Sequence, residues 1–199
     1  MSIANRQLDM YFKNDAYFLS LFPTEIASFN KNHFTPIEVA LKAASFLASE
    51  RNKSVLDIGS GIGKFCLTAA YHFPETTFYG VEQRSDLHEA ALKANEIFKL
   101  KNVNFIHGNM DQLNFEMYDH FYFFNSFHEQ LDDAAKMNDT IDHDENLYHY
   151  YNRYFFKQLL QKPAGTKLVA FFTLDEEIPE NYLLAESHFD QTLQCYIKI

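Results

Sequence analysis

Short runs of β-branched, aliphatic and aromatic residues alternate along the chain with longer segments whose apolar residues recur at helical spacing. Seven such runs predict strands, at 55–58, 77–82, 103–107, 118–124, 167–174, 182–188 and 192–199. Periodic apolar positions predict helices between several of them, at 65–71, 85–98 and 146–161. Strands that alternate with helices are typical of a mostly parallel sheet, so the pattern predicts a single α/β domain.

Two helices are predicted before the first strand. Apolar residues between Leu8 and Phe22 recur at helical spacing and predict one amphipathic helix over 6–21, which Pro23 then ends. Thr35, Pro36 and Glu38 fit an N-cap, a first-turn proline and a capping-box acid. They predict a helix that runs to about residue 50.

The stretch 55–65, VLDIGSGIGKF, combines a predicted strand, a glycine loop and the start of a helix. Gly59, Gly61 and Gly63 allow positive φ, and we expect amide N–H groups to be left uncovered beside the helix N-terminus. Ligands of open α/β sheets bind at this edge, outside the carboxyl ends of the strands. The spacing differs from the G-x-G-x-x-G of dinucleotide sites, which disfavours that class of ligand.

The predicted second strand also ends in an acid, Glu82, 25 residues beyond Asp57. One carboxylate at such a strand end can accept both ribose hydroxyls of an adenosine. Glu82 is therefore a candidate to bind the ribose of an adenosine.

This stretch resembles motif I of the class I S-adenosylmethionine-dependent methyltransferases, whose fold is seven-stranded and Rossmann-like. The resemblance implies a doubly wound seven-stranded sheet with its last strand antiparallel. It also implies a methyltransferase domain over 35–199 and S-adenosyl-L-methionine as cofactor. The helical pattern before residue 35 adds an N-terminal helical extension over 1–34. The function implied is methyl transfer to an unidentified acceptor.

The same resemblance implies which residues bind the cofactor. The loop would contact its methionine portion, with Asp57 holding the loop, and Thr35 is expected either to cap its helix or to face the site. Asn109 stands where the family has an acid for the adenine amino group, so either Asn109 or Asp111 is expected to accept from it. Met110 would cover the ring. The predicted cofactor-binding residues are Asp57, Gly59, Ser60, Gly61, Gly63, Glu82, Gln83, Asn109, Met110, Asp111 and Asn125.

The segment after the fourth predicted strand is expected to contact the methyl acceptor. It loosely resembles the Asn-plus-aromatic segments of amino-directed methyltransferases and lacks a full Asn-Pro-Pro-aromatic signature. Asn125 would orient the acceptor, and His128 would remove a proton if the acceptor requires it. These two residues are the predicted catalytic positions.

The net charge and the cysteine content favour some classes of partner and some cellular compartments over others. The formal net charge is −10, which disfavours a free-standing nucleic-acid binder, so we expect a small-molecule acceptor first, a protein next and RNA last. Cys66 and Cys195 have no metal or disulfide spacing, which favours a reducing, cytoplasmic setting. No signal peptide and no apolar run of about 18 residues is present, which predicts no membrane span.

An acidic segment over 131–147 raises the question of a metal site. Its acids lack the central glycine of an EF-hand loop, so we expect a solvated loop and no metal ligand.

Two other classes of protein share parts of this pattern. A nucleotide-dependent oxidoreductase would have the same sheet and the same strand-end acid. A non-catalytic scaffold or binding protein would keep the fold without the chemistry, and Asn109 departs from the common methyltransferase pattern in a way that fits it. The sequence predicts no oligomeric state.

Overall fold

The computed structural model describes residues 8–124, 145–172 and 178–199. Its strands form one sheet in the order β3-β2-β1-β4-β5-β7-β6. The strands are β1 (Ser54–Ile58), β2 (Thr77–Glu82), β3 (Val103–His107), β4 (His120–Phe124), β5 (Lys167–Phe171), β6 (Tyr182–His188) and β7 (Leu193–Lys198). Strands β1 to β5 are parallel, and β7 lies antiparallel between β5 and β6. The predicted seven-stranded sheet with its last strand antiparallel is confirmed.

Helices cover both faces of this sheet. They are α1 (Asp15–Leu19), α2 (Thr24–Ala27), α3 (Asn30–His33), α4 (Ile37–Leu47), α5 (Lys64–His72), α6 (Ser85–Phe98) and α7 (Glu145–Gln161). Because side chains alternate along a strand, neighbouring residues of β1 enter different cores. Val55 packs with residues of α4, α5 and α6, whereas Leu56 packs with residues of α7. In the described part of the chain, no helix has both the length and the apolar character needed to cross a bilayer.

The strand bounds agree closely with the sequence patterns, and two strand ends differ by more than one residue. Strand β4 begins at His120 rather than at residue 118, because the amide of Tyr118 closes a 3₁₀ turn onto the carbonyl of Phe115 at 3.2 Å. Strand β5 ends at Phe171, and Phe172 has a φ of 53°. A left-handed residue cannot continue a strand, so the predicted strand 167–174 is too long.

The single helix predicted over 6–21 is wrong. The Asn14 side chain accepts a hydrogen bond from the Tyr17 amide at 3.1 Å and so starts a new helix, α1, at Asp15. Asparagine is a preferred N-cap because its short side chain replaces the missing helical acceptor. Helices α2 and α3 follow as single turns, so the N-terminal segment, residues 8–36, is a series of short helices.

The predicted N-cap role of Thr35 is also wrong. Helix α4 begins at Ile37, and its first amide donates to Oδ1 of Asp15 at 2.9 Å. Thr35 is instead buried, and its hydroxyl lies 2.9 Å from that of Tyr122 on β4. A carboxylate supplied from another helix therefore caps α4.

The parallel register brings the predicted site residues to one edge of the sheet. Ile58 of β1 lies opposite Val81 of β2 and Phe123 of β4, and Glu82 lies opposite His107 of β3. The carboxyl ends of four strands consequently meet beside the glycine loop, as expected for a ligand site of this fold.

Candidate functional site

The glycine loop between β1 and α5 has a backbone that requires its glycines. Gly63 caps α5 with a φ of 74°, and a Cβ there would lie 2.4 Å from Cζ of Phe105. Gly61 has a φ of 54°, and a Cβ there would lie 3.2 Å from Cε1 of Phe34. A side chain at either position would combine left-handed strain with a close contact, so the loop is closely packed on both sides.

Four loop amides donate within the protein. Those of Gly59 and Ser60 both donate to the Val81 carbonyl at 3.0 Å, and that of Gly63 donates to the Ser60 carbonyl at 2.8 Å. The Gly61 amide donates to Oε2 of Glu82 at 2.9 Å. The expectation that the loop leaves its amides uncovered is therefore wrong at these four positions.

Glu82 ties the loop to the end of β2. Its side chain is buried, and its second oxygen, Oε1, accepts the Arg84 amide at 2.8 Å. These two amide bonds fix the orientation of the Glu82 carboxylate at the end of β2. Glu82 thus has an observed role in the loop, at the strand end where the sequence predicts ribose binding.

Asp57 lies deeper than Glu82 and contacts helix α5. Its carboxylate accepts a long hydrogen bond, 3.4 Å, from the Cys66 thiol. Burial raises the pKa of Asp57 to about 8, the Cys66 hydrogen bond opposes that rise, and the charge of Glu82 adds to it. Burial likewise raises the pKa of the Cys66 thiol. Of these two strand-end acids, Glu82 holds the loop through the hydrogen bonds described above.

Ser60 supplies a polar group with unused capacity. Its side chain is buried against Gly80, and its hydroxyl has no hydrogen-bond partner in the described part of the chain. A buried hydroxyl without a partner is destabilising unless a ligand or water satisfies it. Together with the buried Glu82 carboxylate at the end of β2, this hydroxyl makes the loop fit an adenosine-bearing cofactor such as S-adenosylmethionine.

Gln83 and Asn109 meet at the ends of β2 and β3. The Asn109 side-chain amide donates to Oε1 of Gln83 at 3.5 Å and to the hydroxyl of Tyr151 on α7. The Asn109 side chain also accepts from the Gln112 amide in a reciprocal capping box, in which Gln112 Oε1 accepts the Asn109 amide at 3.0 Å. Both ends of the Asn109 side chain are consequently engaged.

Asp111 and Met110 follow directly in the 3₁₀ turn Met110–Gln112. The Asp111 carboxylate accepts one exposed hydrogen bond, 3.3 Å, from the hydroxyl of Tyr150. Met110 is 2% exposed and packs in the core that contains α7. Of the residues in this turn, Asp111 therefore keeps the more available acceptor.

Sequence reasoning missed Lys64, the residue directly after the loop. Lys64 is 1% exposed, and its ammonium binds Asp15 at 2.6 Å and Asn30 at 2.7 Å. Burial lowers its pKa, while Asp15 opposes that change. A cation in the first turn of a helix opposes the helix dipole, which was the only local signal available.

The two predicted catalytic residues, Asn125 and His128, lie outside the described residues, as does the acidic segment 131–144. In the chain that is described, no group of three or more His, Cys, Asp or Glu side chains is arranged to hold a metal ion.

Comparison with known proteins gives one family match by sequence. Residues 51–122, which run from just before β1 to the middle of β4, match the family described as "Putative methyltransferase". No curated protein sequence matches the chain.

Solved structures share the fold at low sequence identity. An RNA methyltransferase from Salinibacter ruber in complex with S-adenosyl-L-homocysteine is 17% identical, with a TM-score of 0.51 over 81% of this chain and 87% of that one. TrmN from Thermus thermophilus is 17% identical, with a TM-score of 0.56 over 82% of this chain and 54% of that one. Precorrin-6y C5,15-methyltransferase from Geobacter metallireducens is 15% identical, with a TM-score of 0.55 over 84% and 89%. These likenesses show a shared fold.

Proposed function

We propose that the chain is a class I, Rossmann-like S-adenosylmethionine-dependent methyltransferase, and that it methylates a small molecule or, second, a protein amine. The observation that carries the proposal is the unit of glycine loop and Glu82 at the carboxyl end of the sheet. This unit joins a left-handed loop to a buried strand-end acid whose carboxylate is oriented by two main-chain amides.

The cofactor's ribose would bind at Glu82. Its carboxylate is already oriented by the amides of Gly61 and Arg84, so little side-chain entropy remains to be lost when hydroxyl donors arrive. Hydrogen bonds to a charged group contribute roughly 1.5 to 3 kcal/mol. The unpartnered Ser60 hydroxyl would contact the cofactor on the loop side, and Gln83 would lie beside the adenosine.

For the adenine amino group, we favour Asp111 over Asn109. The Asn109 oxygen accepts an amide in its capping box, and its nitrogen donates to Tyr151. The Asp111 carboxylate has only the long contact from Tyr150 among the hydrogen bonds described above. A charged acceptor also binds an amine donor more strongly than a neutral one.

The cofactor, when bound, supplies a methyl group on a sulfonium, which an acceptor displaces in line. The protein has to align the acceptor and exclude water, and proton removal is needed only for some acceptors. We assign alignment to Asn125 and proton removal to His128, as the sequence predicts. Because the net charge is −10, a neutral or cationic acceptor is favoured over RNA.

A methyl-transfer screen tests the proposal. Purified protein would be incubated with methyl-labelled S-adenosylmethionine and cell extract fractionated into small molecules, proteins and RNA. We expect label in the small-molecule or protein fraction, and roughly tenfold less label with the Glu82→Ala variant at a cofactor concentration well below saturation. Label confined to RNA would refute the acceptor class, and label in no fraction would refute the activity.

A further inference from the structure

The N-terminal segment, residues 8–36, lies against the glycine loop. Lys64, the first residue of α5, is bound by two side chains of this segment, Asp15 at 2.6 Å and Asn30 at 2.7 Å. Phe34 of the same segment packs close to Gly61. The segment and the loop are therefore joined by both polar and apolar contacts.

A lysine at position 64 carries an energetic penalty. It is 1% exposed, so its ammonium is largely removed from water, and it stands in the first helical turn, where the dipole disfavours a cation. Removing one partner of such a buried ion pair leaves an uncompensated charge. Replacing a whole buried ion pair by apolar residues is often neutral or stabilising, so the pairing is weak evidence that the lysine serves stability alone.

Asp15 connects three helices. Its Oδ1 accepts from the Lys64 ammonium and from the Ile37 amide at the start of α4, while Asp15 itself begins α1. One carboxylate therefore fixes the relative positions of α1, α4 and α5. Any change in its bond to Lys64 acts on the segment and on the loop together.

Two further contacts anchor the segment on either side of the loop. The Thr35 hydroxyl is buried 2.9 Å from that of Tyr122 on β4. The Arg84 guanidinium, just beyond the end of β2, lies 5.9 Å from the centre of the Phe29 ring. The segment thus spans the site edge from β4 to the residues after β2.

We propose that Lys64 is a positioning residue for cofactor binding, which holds the N-terminal segment across the glycine loop as one wall of the cofactor pocket. This inference rests on the proposed function. It assigns the pairing of Lys64 with Asp15 and Asn30 a part in cofactor affinity, although none of the three is placed in contact with the cofactor.

The test uses the full chain, S-adenosylhomocysteine as the probe and four variants. Lys64→Met removes the charge at similar length, and Asp15→Asn removes the opposite charge while keeping an acceptor for Ile37. The double variant Asp15→Asn with Asn30→Asp moves the carboxylate to the other partner of Lys64. Lys93→Met is the control, because Lys93 is 74% exposed in an ion pair on α6. Affinity is measured by calorimetry and amide hydrogen exchange is followed over residues 8–36.

We expect Lys64→Met and Asp15→Asn to weaken S-adenosylhomocysteine binding by at least about fivefold, the lower range of coupling between sites. Exchange over residues 8–36 should rise in both. The double variant should recover affinity and protection, and Lys93→Met should match the wild type.

The outcomes separate this inference from the proposed function. Wild-type affinity in Lys64→Met, unchanged exchange over 8–36, or failure of the double variant to recover would each overturn the role of Lys64. No binding of S-adenosylhomocysteine by the wild-type protein would overturn the proposed function and, with it, the claim about affinity. The exchange measurement would still decide whether Lys64 holds the segment.

Discussion

At each end of the sheet an acidic side chain accepts main-chain amides, but the two side chains have different surroundings. At the carboxyl end, Glu82 accepts the amides of Gly61 and Arg84. At the amino end, Asp119 accepts the Ser54 amide at 2.8 Å. Both carboxylates hold main chain, but only Glu82 is buried beside a left-handed glycine loop. The comparison shows that the surrounding backbone, and not the carboxylate alone, makes an acidic residue a candidate for ligand binding.

A cleft makes the same point at the amino end. It has a volume of about 490 Å³ and its lining includes Lys53, Asp119, His120 and Lys162. The Lys162 ammonium donates to the carbonyls of Phe115 at 3.0 Å and Tyr118 at 2.7 Å. These bonds satisfy main-chain carbonyls of the turn before β4, which is a structural role. The size of this cleft therefore does not make it the candidate functional site.

The largest expected effect concerns two glycines, one at each end of the sheet. Gly63→Ala should destabilise the protein by about 3 kcal/mol or more, because overpacking against Phe105 adds to left-handed strain. Gly165 has a φ of 87° with open space around its Cβ position, so Gly165→Ala should cost only about 1 kcal/mol of strain. Urea unfolding of both variants measures the difference. Equal losses would show that the loop is not closely packed at Gly63.

The second largest expected effect is a difference in cofactor affinity between variants of Glu82 and Asp119. Glu82→Ala should weaken S-adenosylhomocysteine binding by about tenfold or more, the equivalent of one hydrogen bond to a charged group. Asp119→Ala should leave that affinity unchanged, although it too removes the acceptor of a main-chain amide. Calorimetry gives the affinities, and thermal melting without ligand reports the stability that each variant loses. Similar affinities for the two variants would remove Glu82 from the cofactor site.

The smallest effect is a difference in pH dependence between the ends. The Asp57 pKa is raised to about 8, mainly by burial, so the folded state binds the proton more tightly and stability falls as pH rises toward 8. The His120 pKa is lowered to about 4, mainly by burial, so stability falls as pH drops from 6.5 toward 4. The two slopes oppose each other below pH 6.5, and of this pair only Asp57 acts above it.

Two variants separate these slopes. Between pH 6.5 and 8, the wild type should lose roughly 1.5 kcal/mol of unfolding free energy that Asp57→Asn does not lose, since one proton per molecule corresponds to about 1.4 kcal/mol per pH unit at most. His120→Gln should change the profile only below pH 6.5. Urea titrations at several pH values measure both curves. A profile of Asp57→Asn parallel to the wild type above pH 6.5 would show that Asp57 is ionised in the folded protein.

Much of the fold could be predicted because its signals are local. Strand β2, Thr77–Glu82, has the predicted bounds, since a β-branched and aromatic run is flanked by residues that favour turns. The helix start at Asp15, inside the helix predicted over 6–21, could not be predicted. The apolar spacing continues through this position and does not show that Asn14 caps a new helix. Periodicity records which residues are buried and does not record where a side chain ends a helix.

The candidate site divides in the same way. Glu82 and the glycine loop could be located from their spacing. The pairing of Lys64 with Asp15 joins residues 49 positions apart and depends on how short helices pack. No local pattern contains that information. The engagement of Asn109 by Tyr151 of α7 likewise depends on tertiary packing.

A crystal structure of the protein grown with saturating S-adenosylhomocysteine tests the central claim most directly. The account predicts adenosine density beside the glycine loop, with the ribose hydroxyls within hydrogen-bond distance of the Glu82 carboxylate. Density in the cleft near Lys162, or a loop that remains closed by its own contacts with no ligand beside it, would contradict the account.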